Sequence, residues 1–206
     1  MHYKTFTGGV FETNCYLAEA PKGLILFDAP DGVCQWLVQT KQTPALLILT
    51  HGHIDHVQDV SRIKKTFGCP IGCHPETEPM IADPEFFRRF GFGFDLEPTK
   101  PDFFITETPE RDFLGLKFQV LEVPGHCPGS LCFFDRSDGV LIGGDVLFAG
   151  GVGRWDLPGG DADVLFDGIR QKLFPLGDNV TVLSGHGPPT RMGTERQTNP
   201  FVGEDA

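Results

Sequence analysis

Nowhere in the 206 residues is there an apolar run long enough to span a bilayer. Residues 1–10 lack a basic stretch followed by an apolar core, so no secretory signal is read there and a cytoplasmic location is expected. The 6 cysteines follow no C-x-x-C or zinc-finger spacing. Without an export signal most of them are expected to be reduced, buried thiols, with Cys127, next to His126, the one to watch. Cations are scarce as well: 17 Lys and Arg stand against 28 Asp and Glu, a net charge of -11. That balance argues against a protein that binds nucleic acid through its phosphates. Low-complexity tracts, repeats and long Pro/Gly linkers are missing too, so one domain over residues 1–206 is expected. What remains, 40% hydrophobic and 22% charged, is the profile of a soluble globular chain with ample core.

Against that background one stretch stands out. His51-Gly52-His53-Ile54-Asp55-His56 reads H-x-H-x-D-H and follows the apolar run Ala45-Leu46-Leu47-Ile48-Leu49-Thr50, a buried strand by pattern. The chain leaves a strand end and at once presents imidazoles and a carboxylate. Imidazole suits Zn, Fe, Co and Ni, and carboxylate oxygen completes such sites. Four potential ligands so closely spaced cannot all reach one ion. Two metals, or one metal beside a poised second site, is the reading.

The rest of the chain reads as strands and helices in alternation. Strands are expected at residues 3–7, 13–20 and 23–27, with Pro21-Lys22-Gly23 as a turn. Asp31 is placed to cap a helix through Cys34, Trp36, Leu37 and Val38. Val57, Val60, Ile63 and Phe67 fit a second helical face ended by Gly68, with a strand at 70–74 beyond it. Residues 76–100 are broken by Pro79, Pro84, Gly91, Gly93 and Pro98 and carry Phe86, Phe87, Phe90, Phe92 and Phe94, read mainly as core packing and otherwise as a wall or lid. Strands resume at 102–106, 116–123, 130–135, 140–143 and 180–184, with a helix at 162–173. Two sheets packed face to face, with helices outside, accommodate this order.

Three later segments each set a metal-type residue where an apolar strand meets glycine: Gly125-His126, Gly144-Asp145 and Gly185-His186. Glycine permits sharp turns and close backbone approach, so such ends can aim ligands into a cleft. Singly each is more often just a turn. Together with the histidine run they make a set.

That set resembles the metallo-β-lactamase fold superfamily over nearly the whole chain. Within it the chain is most similar to the glyoxalase II-like hydrolases of the short type, which lack the C-terminal helical domain. The resemblance rests on Gly144-Asp145-Val146-Leu147-Phe148, on Gly153-Arg154-Trp155-Asp156 through Asp161, on Gly185-His186-Gly187-Pro188, and on Glu195-Arg196 with Asn199-Pro200-Phe201. Asn14-Cys15-Tyr16-Leu17 and Asp28 sit where that family has its N-terminal motif.

The resemblance implies an α+β fold of the α/β type, a four-layer αββα sandwich of two mixed sheets with helices on the outer faces. It implies that His51, His53 and His126 hold one metal, that Asp55, His56 and His186 hold the other, and that Asp145 bridges them. The cofactor expected is two divalent ions, Zn or else Fe or Mn. Asp28 would support the metal loop rather than bind metal. The activity implied is hydrolysis of a small thioester, such as S-lactoylglutathione or another hydroxyacyl thioester, by a hydroxide held between the metals, with Asp55 steering it.

Arg154 is read as a clamp for a substrate carboxylate, or equally as a structural partner of Asp156 or Asp161. His74 is read as structural. The expected partner is the small-molecule substrate, without nucleic acid or membrane, and the chain is expected as a monomer or small homo-oligomer. Trp155 departs from the small hydroxyl residue expected in the Gly-Arg-x-Asp loop. Rivals of the same fold are a mononuclear-iron persulfide dioxygenase and a lactonase or other di-metal hydrolase. A true β-lactamase is disfavoured by Asp145 and the lack of an export signal, and a non-catalytic scaffold by the intact ligand set.

Overall fold

The turn at Pro21-Lys22 sets the first pairing of the fold. It joins β2 (Thr13–Ala20) to β3 (Gly23–Phe27) with Ala20 opposite Gly23, and β1 (Tyr3–Gly8) pairs antiparallel on the far side of β2. Three parallel strands extend this sheet past β3: β4 (Pro44–Ile48), β5 (Ile71–Cys73) and β6 (Phe103–Phe104). Parallel neighbours need crossovers, and the chain supplies them with helices. These are α1 (Val33–Gln39) before β4, then α2 (Ile54–Val57) and α3 (Val60–Phe67) before β5. The short α4 (Glu78–Ala82) and α5 (Phe86–Arg89) come before β6.

The computed structural model describes residues 2–83, 85–91, 93 and 96–206. They form two compact units, Met1–Ile105 with Phe113–Leu116, and Thr106–Asp112 with Lys117–Ala206. In the first, strands β3 and β4 are apolar along their length, and Ile25, Leu26, Phe27, Leu47, Ile48 and Leu49 are fully buried. That is the signature of strands covered on both faces.

The second sheet has the order β14-β13-β10-β9-β8-β7. Its members are β7 (Thr108–Phe113), β8 (Leu116–Glu122), β9 (Leu131–Asp135), β10 (Val140–Gly144), β13 (Thr181–Ser184) and β14 (Thr190–Arg191). β10 and β13 run parallel, joined through α6 (Ala162–Gly168). A separate two-stranded hairpin, β11 (Leu147–Phe148) with β12 (Gly151–Val152), leaves the end of β10, and α7 (Met192–Thr198) follows β14. Leu121, Val123, Phe134 and Leu141 of the sheet bury one core with Leu165, Ile169 and Leu173 of the α6 region and Met192 of α7. Two mixed sheets with flanking helices place the chain in the α+β class that the resemblance implies.

Some expected elements take other forms. Asp31 does not cap α1: Gly32, left-handed at φ 90°, is the residue before the helix, and the Asp31 carboxylate accepts from Arg62 instead. The helix expected over 162–173 keeps its regular ladder only to Gly168. It then widens into a π-type turn at Ile169–Leu173, which keeps both end residues buried. β7 escapes a hydrophobic pattern because it is a polar edge strand carrying Pro109, and an edge is where a strand tolerates proline. The Phe-rich segment is mixed, with Phe87 buried and Phe90 exposed, while Phe92 and Phe94 lie outside the described residues. His74 is buried and takes a hydrogen bond on Nδ1 from the Glu76 N–H, closing the turn before α4. Among the described residues, no helix is long and apolar enough to cross a membrane.

All six cysteines are free and buried. Burial pushes the thiols of Cys73 and Cys132 up to about 12, and raises Cys15 well above its ordinary value. Thiolate is the reactive form, so at pH 8 these sulfurs are inert. A disulfide-exchange reagent should leave the native chain unlabelled for hours and titrate all 6 thiols in denaturant. A fast-reacting thiol in the native chain would contradict the burial.

Candidate metal centre

In the first unit the site is organised by a buried carboxylate. Asp28 follows β3 with φ 65°, a left-handed conformation that costs an ordinary residue about 1–2 kcal/mol. Its oxygens accept three hydrogen bonds: Thr50 N–H to Oδ1 at 2.7 Å, Thr50 hydroxyl to Oδ2 at 2.7 Å, and His56 Nδ1–H to Oδ2 at 2.8 Å. Bonds to an ionised group are worth about 1.5–3 kcal/mol each, so the network outweighs the strain. The Asp28 and Ala29 backbone N–H groups donate to Ile48 and His56, pinning the same two stretches.

These bonds fix the histidine tautomers. The single Thr50 hydroxyl proton goes to Asp28, so at 3.1 Å from His51 Nδ1 the same oxygen accepts. His51 therefore carries its proton on Nδ1, as His56 does toward Asp28. Both present Nε2 as a lone pair. The two rings lie 4.2 Å apart between centroids, and His53 stands edge-on to His51 at 4.9 Å. His51 and His56 are buried, whereas His53, the residue before α2, is half-buried. Asp55, in the first turn of α2, takes the Thr13 hydroxyl on Oδ2 at 2.7 Å, and the same oxygen lies 3.6 Å from His56 Nε2. Gly52 has to be glycine: a Cβ there would lie 2.3 Å from the Met80 sulfur and 2.9 Å from its Cβ.

The second unit repeats the device with a different acceptor. The buried His126 donates Nδ1–H to the Arg154 carbonyl at 2.7 Å, so it too presents Nε2. Asp145, at the end of β10, sets Oδ2 3.6 Å from His126 Nε2 and 3.2 Å from His186 Nε2. Gly153 lets this close: a Cβ there would meet the Asp145 carbonyl at 1.9 Å and the His126 ring at 2.9 Å. Gly125, at φ 112°, brings the His126 loop against the start of α6, where Asp161 N–H donates to the Gly125 carbonyl at 2.8 Å. The Arg154 guanidinium turns outward and grips Asp156 through two bonds of 2.8 Å. That pairing pulls the Asp156 carboxyl down to about 2. Asp161 instead caps α6 through the Val164 N–H. Trp155 is half-buried and packs edge-on to Phe166 at 5.2 Å and Phe201 at 5.9 Å.

The donors fit a metal. Ligands at about 2.1 Å from a tetrahedral ion lie about 3.4 Å from one another. The three carboxylate–imidazole separations, 3.6, 3.6 and 3.2 Å, bracket that value and exceed the about 2.8 Å of a charged hydrogen bond.

The Metallo-beta-lactamase superfamily pattern matches residues 8–186. The chain belongs to that superfamily. Its relatives include a Haemophilus influenzae protein named hydroxyacylglutathione hydrolase GloC, 37% identical over 93% of both chains. Among solved structures, BLEG-1 B3 metallo-β-lactamase superposes with a TM-score of 0.89 at 33% identity, covering 98% of this chain and 99% of that one. TTHA1623, described in a di-iron-bound form, gives 0.84 at 34% identity over 96% and 99%. The superfamily is one of metal-dependent hydrolases, and the His/Asp groups here are able to bind divalent ions.

Sequence reasoning passed over Thr50, Thr13 and the Arg154 carbonyl. Thr50 directly precedes the histidine run, a usable signal. A main-chain carbonyl leaves none.

Asp28→Asn separates charge from shape, since Asn tolerates the left-handed backbone. Its Oδ1 keeps the Thr50 N–H, so its amide N–H groups face the Thr50 hydroxyl and His56 Nδ1. Both His51 and His56 then carry the proton on Nε2. A folded D28N chain should bind metal about 10–100-fold more weakly in chelator competition. Unchanged affinity would show that the tautomers are not set this way.

Proposed function

We propose that this superfamily hydrolase cleaves a small thioester, such as S-lactoylglutathione or another hydroxyacyl thioester, at a two-metal centre. The observation that carries the metal half of this reading is Asp145 Oδ2 lying 3.6 and 3.2 Å from two imidazole Nε2 atoms. One carboxylate oxygen serving two histidines is what a bridging ligand provides. In this reading His51, His53 and His126 hold one ion, Asp55, His56 and His186 the other, and Asp145 joins them. The thioester half draws on the name of the Haemophilus relative. Zn is the ion proposed, with Fe kept in view by the di-iron form of TTHA1623.

Two divalent cations there would supply Lewis acidity and lower the pKa of a bound water from 15.7 to about 7. The chain does the rest. His51, His56 and His126 offer Nε2 because their Nδ1 protons are committed to protein oxygens. Asp55, steadied on Oδ2 by Thr13, orients the attacking water and takes up its proton on Oδ1. A thiolate leaves without a dedicated acid, since free thiols titrate near about 8.5. Phe148, edge-on to His186 at 6.1 Å, gives the substrate an apolar neighbour. With Arg154 held by Asp156, a substrate carboxylate has to compete for that guanidinium.

The test combines metal analysis with a substrate panel. Purified chain should hold two equivalents of metal and turn over hydroxyacyl thioesters. Asp145→Ala should lose metal and cut kcat/KM by on the order of 10³-fold. One iron per chain with oxygen uptake on glutathione persulfide would replace this reading with a dioxygenase. Turnover of a chromogenic cephalosporin without thioester turnover would replace it with a lactamase, the activity in the name of BLEG-1.

A further inference from the structure

Glu195 is a buried carboxylate that the chemistry above does not use. It sits in α7 at 2% exposure, and every partner it has is neutral. Oε2 accepts the Gly150 N–H at 2.9 Å and the Asn199 amide at 2.8 Å, and Oε1 accepts the Thr190 hydroxyl at 2.5 Å. The neighbouring Arg196 is spent on Asp178 and Glu204. A buried carboxylate is costly unless hydrogen-bonded, and this one ties the tip of the β11–β12 hairpin, through Gly150, to β14 at Thr190 and to the end of α7 at Asn199. Asn199 extends the grip by donating to the Gly151 carbonyl at 3.0 Å, and Ser184 holds the hairpin base through Leu147 O at 2.7 Å.

The hairpin is seated at its base in the core of the second unit through Leu147, with Val152 packed against that core. It leaves β10 two residues after Asp145 and carries Phe148 against His186. It returns through Gly153, whose N–H donates to Val146 O at 3.2 Å and whose backbone abuts the Asp145 carbonyl. Its tip turns at Gly150, at φ 70°. Two-stranded ribbons are marginal alone; here the core holds the base, and the tip at Gly150 is placed by the Glu195 and Asn199 bonds.

We propose that Glu195, with Asn199, is a positioning residue for the metal centre: it latches the hairpin tip and so fixes Asp145 and the Phe148 wall beside His186. This rests on reading Asp145 and His186 as ligands. The latch needs acceptors, not charge. In Glu195→Gln the amide oxygen keeps Gly150 and Asn199, and the Thr190 hydroxyl rotates to accept from the new N–H.

The experiment compares E195A, E195Q and N199A with the wild-type chain by metal stoichiometry, chelator competition, melting temperature and the split between kcat and KM. E195A should weaken metal binding about 10–100-fold and raise KM, while E195Q stays within about threefold of wild type. N199A should shift affinity the same way by about 3–10-fold, and it carries the test if E195A fails to fold. A drop in melting temperature with wild-type metal affinity and KM in the folded chain would make Glu195 structural only and overturn the proposal. E195Q as damaged as E195A would overturn the acceptor mechanism. A wild-type chain that takes up no metal would instead remove the two-metal reading, and this proposal with it.

Discussion

Everything at the candidate centre depends on one requirement: an imidazole offers a lone pair on one nitrogen only if its proton is held on the other. Asp28 meets it for two histidines at once, bonding His56 directly and His51 through Thr50. The carboxylate has to be buried to be firm, and burial makes it intolerant of losing a partner. Its left-handed backbone is the geometric cost. A β-branched residue would not take φ 65° there, whereas Asp, Asn and Gly do.

The second unit reaches the same end without a carboxylate. His126 is fixed by a main-chain carbonyl, so its precision depends on where residues 153–156 lie. That explains the investment around this loop. Gly153 admits the close approach, the Arg154–Asp156 pair stiffens the turn, and Trp155 anchors it on Phe166 and Phe201. The tryptophan that looked out of place in the Gly-Arg-x-Asp loop is therefore a packing residue. It brings the C-terminal segment into the support of the metal loop.

Strands with strong apolar pattern were legible from sequence, and β2 and β3 begin and end where turn chemistry places them. The candidate donors drew the reading because four such segments, each weak alone, set His or Asp at the end of an apolar strand. What escaped is what a side-chain alphabet does not encode. The polar edge strand β7 carries no hydrophobic alternation, and the capping of α1 passed from Asp31 to Gly32 through a backbone turn. Glu195 and Asn199 were visible as a motif, yet their role stayed hidden because it is played against backbone N–H and C=O groups. Arg154 shows the same limit: its side chain drew the reading, and its carbonyl does the orienting.

The division between chemistry and specificity follows from these supports. Residues that set the ligands are buried and multiply bonded: Asp28, Thr50 and Glu195 each make at least two hydrogen bonds at under 9% exposure. The outer residues of the candidate centre are less committed, as Phe148 and His186 are half-exposed and Arg154 and Asp156 stand in solvent. Change in the latter costs little folding energy, because an ion pair standing in solvent contributes little. Change in the former disturbs a network whose members fail together. On the proposed reading, substrate preference can therefore differ among members of the superfamily, as the different names of GloC and BLEG-1 illustrate at similar identity to this chain. On that same reading, the exposed Arg154–Asp156 pair and Phe148, rather than the histidines, are where a thioester hydrolase and a lactamase of this fold would part.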